Sequence, residues 1–472
     1  MKLEEFLQAN YNYNPEVKNA LKGYIEQWNS WYKGNVKSFH NYFIYNGQRK
    51  VNKKRFTMNM AKEISEDWSD ILWSERCVVS LKDENNQKQF NELLDALDLN
   101  VVINKSIEKS GALGTCATVV SVYDIISEED KMTLDVTNAK TRVDVVDVDC
   151  IYPISWNNVG VTECAFASVE YVNGKKTVVL SVHKLKDNGN YEIINHLFEE
   201  TNGNLTEITL EDIERVFDTK SNIKWFSIFK PLLTNNIFNN SPFGIPYYAN
   251  AIDNMKAVDI SFDALKNEIK DSRRRTFVRA EMMNYSDGTQ KLTFDPEDTD
   301  IYVLPDGANK DDLIQNDTTT LRTNEQIGTL NTNLNILGSK VGFGENHYHF
   351  DGTNLSTATA VVSSNSKMFR RKKKLEIGYE SSIFDLIVAV CYASSEFGNY
   401  NIDTTDMDIS FDDSIVEDKE SESIRALREF NAGLISAVEY RVRVFGETPE
   451  IAEQAIAKIK EEAPTTETLL GE

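Results

Sequence analysis

The sequence predicts a mixed α+β protein, and three features carry that expectation. Apolar residues recur at helical spacing near the start and again beyond residue 246. Between them lies a part rich in Val, Ile, Tyr and Thr, cut by Asn-Gly turns. A second, shorter β-rich stretch then separates two helical ones, so helices and strands are grouped rather than alternating.

The first 110 residues read as mainly helical. Phe56, Met60, Ile64, Trp68 and Leu72 recur every four residues, and Leu93, Leu94 and Leu97 mark a short helix. The aromatic opening (Tyr11, Tyr13, Trp28, Trp31, Tyr32) is expected to pack against neighbours or a partner. Strands are expected at Thr118–Tyr123, Arg142–Val148, Ala165–Val172, Thr177–Leu185 and Tyr191–Phe198, with turns at Asn173-Gly174, Asn188-Gly189 and Asn202-Gly203. Pro246 to Ile269 carries one apolar stripe (Tyr248, Ile252, Met255, Val258, Phe262, Leu265, Ile269), with Asn254, Lys256, Asp263, Lys266 and Lys270 off it. Such a helix would be roughly 36 Å long.

A β insertion is expected over Thr276–Asp317. A helix then opens at a Thr323/Gln326 capping box, with Ile327, Leu330, Leu334 and Leu337 as its stripe. Two helices side by side with a β module at the tip make a protruding arm. Ser339–Ser356 lacks helical periodicity and reads as a loop. A long helix over Thr357–Ser394 buries Val361, Met368, Leu375, Ile383, Leu386 and Val390, with Gly378 a candidate bend. The acidic stretch Asp403–Glu422 leads to a helical tail, where Gly446 ends one helix and Thr448-Pro449 opens the next.

Composition narrows the functions. The chain has 472 residues, 41% of them hydrophobic, ample for a sizeable core. We find no run of about 18 apolar residues, so no membrane partner is expected. The opening lacks a signal-peptide pattern, which points to a protein made and used inside a cell. The cysteines Cys77, Cys116, Cys150, Cys164 and Cys391 lack metal or redox spacing and are expected as reduced, mostly buried thiols. Net charge is −23, from 51 basic and 74 acidic residues, which speaks against a conventional nucleic-acid-binding face. It remains compatible with a channel through which a duplex must slide, where strong phosphate contacts would act as a brake.

The phosphate loop GxxxxGK[ST], the GxSxG elbow and the HExxH helix are absent, so no enzyme is expected. His347, His349 and Asp351 lie close together, but no third and fourth ligand is evident, and no metal or other cofactor is expected. Asp144, Asp147 and Asp149 are read as the solvated side of a strand.

Four stretches resemble the portal proteins of tailed bacteriophages, most closely those of siphophages of Gram-positive hosts. Phe56–Trp73, with MAKEISEDWSDILW, is similar to a family stretch of the type MAKxxxEDWADLL. Ser241–Asp259 resembles the entry to the family's first stem helix. His349–Arg370 (HFDGTNLSTATAVVSSNSKMFR) resembles the exit of the tunnel loop, with Ala360 where the family usually has an acid. Phe411–Ala457 resembles the tail region.

The resemblance implies a portal fold: residues 1–240 with the segment 357–413 as the wing, 241–272 and 318–338 as stem helices, 273–317 as clip, 339–356 as tunnel loop and 414–472 as crown. It further implies a homo-oligomeric ring, usually a dodecamer, at one capsid vertex of the virion, assembled in the host cytoplasm. Double-stranded DNA would pass through it during packaging and ejection. Its partners would be the terminase large subunit, the head-tail adaptor, and the major capsid and scaffolding proteins. In that frame Lys340, Gly342, Phe343, Gly344, Asn346, His347 and Tyr348 are the loop residues expected to approach the duplex, the glycines giving room to shift; an ordinary mobile connection is the plainer alternative. Lys266, Lys270, Arg273, Arg274, Arg275 and Arg279 form the stem/clip basic group, either a solvated helix end or a contact to phosphates or acidic neighbours. Arg370, Arg371, Lys372, Lys373 and Lys374 circle the long helix and are expected in inter-subunit salt bridges rather than on DNA. The rival readings are another phage head or neck adaptor subunit and a nucleotide-dependent host enzyme.

Overall fold

The computed structural model describes residues 2–462 apart from 46–48, 75–76, 124–125, 128–133, 136–139, 158–159, 173–174, 202, 209–214, 273–274, 279–283, 286–291, 294–300, 304–313, 318–319, 345–346, 351–357, 399, 412–418 and 446–448. Helices α1 (Leu3–Tyr11), α2 (Glu16–Tyr32) and α3 (Lys37–His40) open the chain. A hairpin of β1 (Asn41–Tyr45) and β2 (Lys50–Lys54) follows, then α4 (Met60–Leu72), β3 (Val78–Ser80), α5 (Glu84–Ala96) and α6 (Leu99–Leu113).

Met60, Ile64, Trp68 and Leu72 are all buried on α4, as their spacing predicts. Phe56 is not part of that stripe: it is 54% exposed and precedes the helix. Asn59, at φ 54, turns the backbone left-handed, so helical geometry begins only after it. The hairpin is a further departure from the mainly helical opening. Tyr13, Trp28 and Trp31 are buried, as expected of the aromatic segment.

The central part forms two main antiparallel sheets and a separate two-stranded β5–β6 pair, where the strand pattern alone suggested one sheet. Its strands are β4 (Cys116–Tyr123), β5 (Ile126–Ser127), β6 (Leu134–Asp135), β7 (Lys140–Asp147), β8 (Ile151–Trp156), β9 (Val161–Val172), β10 (Lys175–Leu185), β11 (Tyr191–Thr201), β12 (Asn204–Ile208), β13 (Val216–Asp218) and β14 (Phe226–Phe229). The larger sheet runs β12-β11-β10-β9-β8, with β13 also on β11; the smaller runs β14-β4-β7. Gly189 (φ 85) turns β10 into β11; the turns at 173–174 and at Asn202 lie outside the described residues. Helix α1 covers one face of the larger sheet, packing Phe6 and Leu7 against Val178, Leu180, Val182 and Phe198.

A single 3-10 turn, Ala249–Ala251, leads into α7 (Ile252–Asp271). The helix therefore starts later than the apolar stripe suggested, and the buried Tyr248 packs from outside it. Beyond it lie β15 (Arg275–Val278), β16 (Asn284–Tyr285), β17 (Leu292–Thr293), β18 (Ile301–Val303), β19 (Ile314–Asp317), α8 (Thr323–Val341) and α9 (Ala358–Glu396). The chain ends in β20 (Asp408–Ser410), which pairs with β3, and helices α10 (Lys419–Asn431), α11 (Ala437–Phe445) and α12 (Pro449–Glu462).

Helix α9 lies across the sheet β14-β4-β7 with Leu375, Ile383, Leu386 and Val390 fully buried. Its segment Lys367–Glu396 is long and apolar enough to span a membrane by length and composition, yet that apolarity is spent on the protein core. The helix runs unbroken through Gly378, whose missing side chain instead admits Leu232: a Cβ there would stand 2.7 Å from the Leu232 Cβ. The five cysteines are free, four of them buried. Burial pushes the thiols of Cys116 and Cys391 up to about 12.

Candidate functional site

Helices α7 and α8 form an antiparallel rod. Asn333 Nδ2 donates to Ser261 Oγ (2.7 Å) midway, and the Arg322 guanidinium meets Glu268 (3.2 and 3.0 Å) at one end. The seam between them is Met255, Val258 and Leu265 against Leu330, Leu334 and Leu337, all buried. Burying each such side chain contributes about 1.5–3 kcal/mol. A β module sits between the two helices. Strand β15 starts four residues past α7 and pairs antiparallel with β19, which ends six residues before α8, with Arg275 opposite Asp317; β18 adds in parallel. The capping box does not form: Arg322 is the cap residue and Thr323 is already helical.

The base of the rod is fixed by backbone contact. Gly114 (φ 83) and Gly244 meet so closely that a Cβ on either would lie 2.5 Å from the other's carbonyl oxygen. Gly244 N donates to Thr115 Oγ1 (2.9 Å) and Tyr247 N to Gly111 O (2.9 Å). The buried hydroxyls of Tyr247 and Tyr379 pair at 2.8 Å, with Ser110 Oγ 2.9 Å from Tyr379. These contacts explain the Ser241–Tyr248 segment physically: its glycine allows a chain crossing and its tyrosines fill the core beneath.

Two buried carboxylates on α7 were not singled out by the sequence pattern, which placed Asp263 off the buried stripe. Asp259 accepts from Met58 N (2.9 Å) and pairs with His40 Nε2 (3.1 Å). Because His40 Nδ1 accepts from Val36 N (3.0 Å), the neutral ring carries its proton on Nε2 and donates it to Asp259. Asp263, one turn on, accepts from Phe56 N (3.1 Å) and Tyr42 OH (3.3 Å). The β1–β2 hairpin is thereby clamped onto the rod.

The loop expected from Ser339 begins at Gly342, because α8 continues through Val341. Lys340 is thus an exposed residue of the last helical turn. Gly342 (φ 107) ends the helix in a conformation that favours glycine, and a Cβ there would lie 2.7 Å from Arg371 Cγ. Phe343 is fully buried between the rings of Trp68 (4.6 Å) and His347 (4.1 Å, parallel). Tyr348 OH donates to Asp67 Oδ2 (2.7 Å), and His347 Nε2 lies 3.4 Å from the same oxygen. Burial first, and then Asp67, push the Tyr348 phenol far above its usual range. Gly344 is buried, and Asn346 and Asp351 lie outside the described residues. Phe343 and Tyr348 are thus committed to this chain's own α4, Phe350 packs on Phe262 of α7 while remaining 39% exposed, and Lys340 and His347 are exposed. Among the described residues, no three His, Cys, Asp or Glu side chains are grouped as a metal site requires.

The basic residues divide by burial. Lys266 and Lys270 are exposed on α7, Arg275 opens β15, and Arg273, Arg274 and Arg279 lie outside the described residues. In the run on α9, Arg370 and Lys374 are exposed. Lys372 is fully buried and ion-paired with Glu376 of its own helix, which Lys373 also approaches at 3.4 Å. A charge taken out of water needs a partner beside it, and Glu376, one turn on along the same helix, supplies one for Lys372. Arg371 is mostly buried beneath Gly342, and desolvation lowers its pKa.

Clamped helices, a crossing of two glycines and a loop stacked on a helix are the construction of a structural subunit. The family model described as phage portal protein, SPP1 Gp6-like, matches residues 15–468, and the chain belongs to that family of structural, virion-forming proteins. No curated protein matches the chain.

Proposed function

We propose that this protein is the subunit of a ring at one capsid vertex, forming the channel through which double-stranded DNA is packaged and ejected. The observation that carries this is the rod: two antiparallel helices sharing one buried seam and bearing a β module at one end. Outside that seam, Ile260, Ile269 and Ile336 are at least half exposed. A lone rod would leave these side chains in water, whereas neighbouring rods around an axis would cover them. In this scheme α7 and α8 are the stem, the β module is the clip that docks the terminase large subunit and later the head-tail adaptor, and α10 to α12 belong to the crown. The wing (1–240 with α9) would meet the major capsid and scaffolding proteins. Assembly would take place in the host cytoplasm.

The mechanism is mechanical and electrostatic. Each chain carries a net charge of −23, and an acidic channel wall built from such chains would repel the phosphate backbone and let the duplex slide. The segment 342–348, between the rod and α4, would hinder back-slippage. Lys340 and His347, both exposed, would be the residues to meet DNA; Phe343 and Tyr348 would do so only if the loop left α4. ATP hydrolysis belongs to the docked motor. Labelling an epitope on the C-terminal tail of this chain in intact virions tests the proposal: label at a single vertex is expected, and label spread over all vertices would refute it.

A further inference from the structure

Among the described residues the hairpin β1–β2 pairs with no further strand, an arrangement of marginal stability alone. Its register places Tyr42 opposite Lys53 and Ile44 opposite Val51 on one face, and Phe43 opposite Asn52 and Tyr45 opposite Lys50 on the other. The face with Tyr42 is tied to α7 through Asp263. The opposite face is turned to solvent: Phe43 is 58% and Tyr45 67% exposed, with Lys50 and Lys54 beside them. Between Asn41 and Phe56 the sequence holds five basic residues and no acid, in a chain of net charge −23.

We infer that this solvent-facing side docks on an acidic surface of a second copy of the chain, acting as a strap from one subunit to the next. The inference rests on the ring reading and adds to it the surface that joins neighbours. Three points favour a protein partner over duplex DNA. Exposed aromatic rings gain from burial against another protein surface, where aromatics are enriched. A duplex hides its base faces, so Phe43 and Tyr45 would find nothing to stack on. The chain itself supplies the opposite charge, so an identical neighbour suffices. The Asp259 and Asp263 clamps then root each strap on its own rod.

The test begins with rings confirmed by imaging and assembled from equal parts of ¹⁵N-labelled and unlabelled full-length protein. They are joined by a zero-length carbodiimide and digested for mass spectrometry. Mixed-isotope peptides linking Lys50 or Lys54 to an Asp or Glu are expected; links within one copy only, or none, overturn the inference. In parallel, Phe43→Ser/Tyr45→Ser and Lys50→Glu/Lys54→Glu change only exposed positions, so the fold is retained. Each is expected to raise the concentration needed for half-assembly about tenfold, with the charge-reversed pair losing the salt sensitivity of the parent. Unchanged assembly in both variants refutes the strap, as does unchanged assembly with weakened duplex retention, which would assign the face to nucleic acid. Failure of the parent to form rings at all would instead remove the ring reading, and the strap with it.

Discussion

Replacing Asp259 with alanine is expected to release the hairpin from the rod. The substitution leaves two buried donors without acceptors, His40 Nε2–H and Met58 N–H, now held at 3.1 and 2.9 Å. Each buried, unsatisfied donor costs about 1–3 kcal/mol. The clamp should therefore weaken by about 2–6 kcal/mol, and even the lower figure raises a local opening equilibrium by about 30-fold. Hydrogen–deuterium exchange over residues 40–58 reads this directly, because β1 and β2 pair with no other strand among the described residues. Asp259→Asn keeps the shape but sets its amide group against one of the donors, so about half the effect is expected. Peptides from β9 and β10 serve as controls and should exchange as in the parent. Unchanged protection across β1 and β2 in Asp259→Ala would refute the clamp.

Three further outcomes follow from buried groups. His183 is fully buried with neither ring nitrogen hydrogen-bonded, and desolvation holds its pKa down to about 3. Between pH 6.5 and 3 the unfolded chain takes up a proton that the folded one refuses, so stability falls as the pH falls; His183→Leu should recover about 2 kcal/mol at pH 5 in denaturant titrations. Lys18, held near 8 by burial beside Tyr152, is shifted in the same direction, and here the unfolded chain keeps its proton up to about 10.5. The contribution of Lys18 to stability therefore grows from pH 8 toward 10, and the difference in stability between Lys18→Met and the parent should shift by about 2 kcal/mol in the parent's favour over that range, while the raised thiols of Cys116 and Cys391 act alike on both. Phe343→Ala removes the ring between Trp68 and His347 at a cost of about 3–5 kcal/mol, and limited proteolysis should then cut within 342–350 while α8 stays protected.

What the sequence made legible is what short-range spacing governs. The five strands expected between 118 and 198 and the long helix α9 are found within a few residues of their expected limits, because apolar periodicity records a face that must be buried, whereas β5, β6 and β8 were not anticipated. The Pro449 start of α12 is as expected for the same local reason. The misses are long-range. Nothing near Asp259 and Asp263 announces that their partners stand at 40, 42, 56 and 58, so Asp263 read only as off the apolar stripe and Asp259 drew no reading. Likewise the aromatic loop residues Phe343 and Tyr348 read as available, although α4 supplies Trp68 and Asp67 to hold them. The hairpin did leave a signal, the aromatic run Tyr42–Tyr45 followed by Asn46-Gly47, which the helical pattern on either side obscured. The basic run on α9 circles its helix as expected, with Arg370 and Lys374 exposed and Lys372 turned inward.

Mass measurement combined with negative-stain imaging of the purified chain tests the central claim most directly. Closed rings with an axial channel, of a mass equal to a whole multiple of 53.7 kDa, are expected. A particle of 53.7 kDa under every assembly condition, without larger species, would contradict the account.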